Sequence, residues 1–184
     1  MKIKQSELIQ YLRDHTLQAK SQVLSFNNLP AEQLNHKLND TEWSILECLE
    51  HLNRYGNFYL PEIEKQCLKA QTSNQLYFRS SWLGDFFVNS IKASNTKKIK
   101  ATKEMDTTGS TLNLSTIDQL VKQLECLDRL LEKSLEIDLN KVKTAISLTN
   151  LVKLKLGDTF RFLVYHNERH ILQAKRKFTT LPLL

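Results

Sequence analysis

The amino-acid sequence predicts an all-α protein, a bundle of four long helices. Apolar residues recur at helical spacing in four stretches, each leaving one face to bury against the others. Only four glycines and three prolines punctuate 184 residues, fewer turn residues than an all-β sandwich needs. Hydrophobic residues make up 41% of the chain, enough for one core, whereas two domains of half this length would each be small. The expectation is therefore one helical domain over residues 1–184.

The first helix is predicted over about residues 4–27, on Leu8, Tyr11, Leu12, Ala19, Val23 and Phe26, with Pro30 just past its end. The second starts between Thr41 and Ser44 and reaches about residue 69, on Ile45, Leu49, Leu52, Gly56, Tyr59 and Ile63. Pro61 lies inside that stripe and predicts a kink or a break near Leu60. A brief apolar helix follows from Trp82 to about Ala93, and residues 94–113 are polar and lysine-rich, a surface loop. The third long helix opens at Thr116, where Gln119 completes a capping box, and buries Ile117, Leu120, Leu124, Leu127, Leu131 and Leu135. The fourth covers about residues 155–178, with Leu156, Phe160, Leu163, Val164, Ile171 and Phe178 inward. The segment Leu151–Leu156 ahead of it carries no signal of its own.

Charge and cysteine usage narrow the function classes. The formal charge is +6, but the densest basic cluster, Lys97, Lys98, Lys100 and Lys103, has no interleaved aromatics to stack on bases. It reads as a solvated loop and argues against a nucleic-acid partner. Lys175, Arg176 and Lys177 fall where the last helix ends, as the helix dipole favours. Cys48, Cys67 and Cys126 are odd in number and form no CxxC pair, which predicts free thiols and not a disulfide framework. No apolar run is long enough to span a bilayer or to form a signal-peptide core, so the expected location is cytoplasmic, without a membrane partner.

The chemistry concentrates in Tyr165–Gln173. His166 and His170 are four residues apart on a predicted helix, so their Cβ atoms lie about 5–6 Å apart on one face, and two imidazoles so placed can converge on one metal. Leu163 and Gln173 continue that face, which borders the bundle interior. The metalloprotease HExxH motif is not present, because Asn167 stands where its general-base glutamate belongs. Glu168 is rotated by about 200° from His166 and points elsewhere. A third ligand must come from another helix. His15, His36 and His51 are the candidates, and His51 is preferred because it lies mid-helix beside Leu49 and Leu52. Each of these histidines also has an ordinary reading as a packed or surface side chain.

Two segments then resemble a known family. Glu42-Trp43-Ser44-Ile45-Leu46-Glu47-Cys48-Leu49-Glu50-His51-Leu52 is similar to the second-helix signature of DinB-like proteins, a tryptophan-serine start with histidine-leucine about two turns later. His166-Asn167-Glu168-Arg169-His170-Ile171-Leu172-Gln173 resembles the family's last-helix pattern of histidine, three residues, histidine, then glutamine. The motifs come in the right order and the surrounding helices fit almost the whole chain. The resemblance implies an up-down-down-up four-helix bundle and one divalent metal ion on a histidine triad, mapping to His51, His166 and His170. It also implies, for some members, metal-dependent transfer of low-molecular-weight thiols to electrophiles; dimers occur in the family, which leaves a homodimer open for this chain.

Three neutral imidazoles would leave coordination positions open, the pattern of catalytic and not structural zinc. Zinc and nickel are the leading metals, because both accept imidazole. Such an ion suits either a thiol substrate or a nucleophilic water, hence a thiol transferase or a metal-assisted hydrolase. The alternative is a non-catalytic metal-binding interaction or sensor module. Candidates for supporting the ligands are Glu47, which either orients His51 or closes a capping box with Ser44; Gln173, which either bonds a ligand ring or faces solvent; and Arg169, which either attracts an anionic substrate or pairs with a glutamate of the second helix. Cys48 is a fourth-ligand candidate or a small buried hydrophobe, and Trp43 reads as core packing at the bundle end.

Overall fold

Helix α1, Gln5–Ser25, forms where the sequence stripe predicts, burying Leu8, Leu12, Ala19 and Val23, and it ends in a 3-10 turn over Phe26–Asn28 ahead of Pro30. The computed structural model describes residues 1–37, 39, 42–95 and 100–180, so Thr41, Lys97 and Lys98 lie outside the described residues, as does the side chain of Phe178. A short helix α2, Ala31–Asn35, follows. Helix α3, Ile45–Lys69, starts on a capping box: Ser44 Oγ accepts from the Glu47 N–H at 3.1 Å while Glu47 Oε2 accepts from the Ser44 N–H at 2.8 Å. Replacing Ser44 by alanine should cost about 1–2 kcal/mol, read as a lower denaturant midpoint at unchanged slope.

Of the kink or break expected at Pro61, the break does not occur, and α3 runs on unbroken through Leu60. The N–H that proline lacks would have met the Asn57 carbonyl, and both residues lie on the exposed face, so that carbonyl is not shut away from solvent. Helix α4, Trp82–Ile91, is capped by Ser81 and buries Gly84, Val88 and Ile91, leaving Trp82 and Phe86 exposed.

Helix α5, Ser115–Lys133, starts one residue before the predicted capping box, which does not form. Asn113 Oδ1 instead accepts from the Ser115 N–H at 2.8 Å, and the Gln119 amide reaches Asn57. Leu135, expected inward, is about half exposed because α5 has already given way to a 3-10 turn over Ser134–Glu136. Helix α6, Leu156–Thr180, closes the chain.

Two small antiparallel sheets trim the helices. Strand β1, Lys2–Lys4, pairs with β2, Tyr77–Arg79, and β3, Lys143–Ile146, forms a hairpin with β4, Thr149–Lys155. The Leu151–Leu156 segment thus has a structure its sequence did not announce. The turn at Ser147 and Leu148 contains no glycine, asparagine or aspartate to mark it.

Contacts between the long helices set their directions. Arg13 pairs with Asp128 and Glu132, and Lys20 with Glu125, so α1 and α5 are antiparallel. Asn53 meets Thr116 and Asn57 meets Gln119, so α3 and α5 run parallel. His51 faces His166 while Tyr59 faces Phe162, so α3 and α6 are antiparallel. The order is up-down-down-up, as expected. Two buried clusters share the interior: one around Leu12, Ile63, Leu131 and Phe160, the other around Val23, Leu46, Leu120 and Ile171. Among the described residues, no helix is long and apolar enough to cross a membrane.

Candidate metal centre

Where α3 and α6 cross, His51, His166 and His170 come together, with one ring nitrogen from each lying within 4.8 Å of the others. The i, i+4 spacing on α6 stacks His166 and His170 along one face, ring centroids 4.7 Å apart, and the antiparallel α3 brings His51 opposite both. His15 is not part of the cluster and packs on Tyr11, while His36 caps α2 at the surface.

The hydrogen bonds assign the ring nitrogens. His51 Nδ1 lies 2.7 Å from the Met105 carbonyl. A carbonyl only accepts, so Nδ1 carries the proton and Nε2 presents its lone pair to the cluster. His170 Nδ1 donates in the same way to Gln173 Oε1 at 2.9 Å. His166 Nε2 lies 3.3 Å from His51 Nε2, and its Nδ1 is buried without a hydrogen-bond partner. Burial is the first cause that pushes all three rings away from the charged form: His51 to about 4, His170 to about 3 with help from His51, and His166 well below its usual range. The rings are neutral at neutral pH, and neutral imidazole is the ligating form.

The donor set fits a divalent ion. Two nitrogens bonded at ~2.0–2.1 Å to a tetrahedral centre stand roughly 3.3 Å apart, and His51 and His166 Nε2 already have a separation of 3.3 Å. Trp43, Tyr55 and Phe162 wall the cluster, with ring centroids 4.7 Å from His51, 4.3 Å from His166 and 5.4 Å from His166 respectively. Trp43 therefore does more than pack the bundle end, and its Nε1–H donates to Thr108.

The supporting candidates divide. Gln173 bonds the His170 ring. Glu47 does not touch His51: one oxygen closes the capping box, and the other accepts from the Gly109 N–H at 2.6 Å and from Lys37 at 3.1 Å. Its position one turn before His51 is right, but the capping box and the loop take both oxygens. Arg169 donates to the Lys92 and Asn95 carbonyls at 3.2 and 2.8 Å, which ties down the chain after α4. Cys48 is fully buried in the hydrophobic interior, its thiol pushed up by burial, and it is not part of the cluster.

The 94–113 segment is not only a surface loop. It is without regular helix or strand where described, yet Met105 and Thr107 are buried and Met105 holds His51. A backbone carbonyl leaves no mark in a sequence, so this contact could not have been found there. Tyr55 and Phe162 carried a weak signal: they lie four residues from His51 and His166, one turn away on the same faces.

Fold and site together define a helical-bundle protein with a buried three-histidine cluster between two of its long helices. The chain belongs to the DinB superfamily, whose family model matches residues 14–174. No curated protein and no solved structure matches it significantly.

Proposed function

We propose that the protein holds one divalent metal ion, zinc or nickel, on His51, His166 and His170, and that it transfers a low-molecular-weight thiol to an electrophile. The convergence of one ring nitrogen from each histidine within 4.8 Å, in a core that keeps all three rings neutral, carries the metal assignment. An all-imidazole donor set suits both metals. When bound, the ion supplies Lewis acidity that favours the deprotonated, nucleophilic form of a thiol or of water. Membership of the DinB superfamily supports the thiol over the water, and hydrolysis is the lesser reading.

The chain's own part is binding, orientation and exclusion of water. Met105 and Gln173 accept from the outward nitrogens of His51 and His170 and so aim the inward ones. The aromatic wall of Trp43, Tyr55 and Phe162 lowers the local dielectric and gives a substrate an apolar surface to lie on. The metal-loaded protein, mixed with a panel of small thiols and alkyl halides or epoxides, should consume thiol faster than solution controls. His166→Ala should bring consumption to background. Full metal occupancy with no turnover of any pair would contradict the transferase and favour the sensor.

A further inference from the structure

Trp43, just ahead of α3, and Glu47, His51 and Arg54 on one stripe of it all reach the same six-residue stretch of the loop between α4 and α5. Spacings of four and three residues place Glu47, His51 and Arg54 along one helix face. The stretch Glu104–Gly109 lies along that face as a strap. Arg54 Nη1 donates to the Glu104 and Asp106 carbonyls at 3.1 and 2.7 Å. His51 Nδ1 donates to the Met105 carbonyl at 2.7 Å, and Thr107 Oγ1 donates to the Glu47 carbonyl at 2.8 Å. Trp43 Nε1 donates to Thr108 Oγ1 at 2.9 Å, and the Gly109 N–H donates to the Glu47 carboxylate at 2.6 Å.

The strap is bent to suit. Asp106 Oδ1 accepts from both the N–H and the hydroxyl of Thr108. Gly109 has φ +76°, a left-handed conformation that a side chain would strain, and there the chain turns with its N–H toward Glu47. Thr107 is completely buried, and among the described residues its side chain bonds a helix carbonyl alone.

We infer that this strap is a positioning device for His51, with Thr107 and Glu47 as its anchors. The inference rests on the metal reading above. Of the contacts along the strap, only the Met105 carbonyl touches a cluster ring, and it fixes both the tautomer and the tilt of His51. A carbonyl can do this only if its peptide is held still. Thr107 and Glu47 hold the peptides on its C-terminal side and Arg54 holds those flanking it. Outer partners of ligating histidines typically control metal affinity by 10–100-fold. The linkage is reciprocal: an ion that orders His51 also orders the strap, so the loop reports occupancy at the protein surface.

The test uses the intact, metal-stripped protein titrated with zinc alone. Thr107→Val keeps the buried shape and removes only the donor, and Thr107→Ser restores it. Thr107→Val should bind zinc about tenfold more weakly. Thr107→Ser should stay within about twofold of wild type, and so should Ser81→Ala, which weakens the remote α4 cap. Hydrogen exchange adds a second readout: zinc should slow the amides of residues 104–109 in wild type and slow them less in Thr107→Val. If wild type binds zinc and Thr107→Val binds equally well, or if the valine and serine variants fall together, the strap role is overturned and the metal reading stands. If wild type takes up neither zinc nor, in a parallel titration, nickel, both are overturned.

Discussion

Lowering the pH of the metal-free protein from 7 to 5 should remove about 2 kcal/mol of stability for each of His51 and His170, with His166 acting in the same direction. The direction follows from where the protons go. In the unfolded chain a histidine titrates near 6.5, whereas burial in the fold holds His51 near 4 and His170 near 3, with His166 also far below its usual range. The unfolded state therefore takes up protons first. The stability is complete above about 6.5 and drains away as the pH falls toward the folded values. Between pH 7 and 5 ordinary carboxylates stay ionised, and Asp85 is held lower still, near 2. Denaturant titrations at pH 7, 6 and 5 read the loss directly. A change of less than about 1 kcal/mol over the interval would mean that the rings are solvated or charged in the fold.

Asp158→Ala should cost about 3–5 kcal/mol and lower the melting temperature by about 10 °C. Asp158 is fully buried at the start of α6, where it joins three elements. One oxygen accepts from the Ser80 hydroxyl at 2.5 Å and from Arg161 Nη1 at 3.0 Å. The other accepts from the N–H of Ser81 at 3.0 Å and from its hydroxyl at 2.9 Å. Removing the carboxylate leaves the buried Arg161 guanidinium with Asp85 as its remaining acidic partner at 2.9 Å, and loosens the N-cap of α4. The loss comes mainly from leaving a buried charge half-compensated, so replacing Arg161 and Asp158 together by apolar residues should cost less than Asp158→Ala alone. A drop of under 1 kcal/mol for Asp158→Ala would show that water reaches Arg161.

The long helices were legible because each carries its own periodic stripe, a signal that survives without knowledge of its neighbours. Their ends were less so. Pro61 follows a rule for helix interiors that an exposed face relaxes, and α5 starts without a side-chain cap, Asn113 taking the Ser115 N–H from just outside it. The β3–β4 hairpin escaped because its turn uses none of the residues that positive φ favours. At the site, His166 and His170 announced themselves by spacing on one helix. His51 was preferred among three histidines on position and singled out by the family motif around it, since no periodicity reports which faces of two helices meet. The strap was invisible for a plainer reason. Its contacts run largely through backbone carbonyls and N–H groups, and Asp158 with Ser80 and Ser81 likewise depends on a contact spanning 77 or 78 residues of chain.

Everything proposed for this protein turns on an ion among the three rings, and elemental analysis of untagged protein purified without added metal measures that directly. The account predicts about one zinc or nickel per chain in wild type and near none in His166→Ala. Wild-type protein that carries no divalent ion and takes up none from a zinc or nickel solution at neutral pH would contradict it.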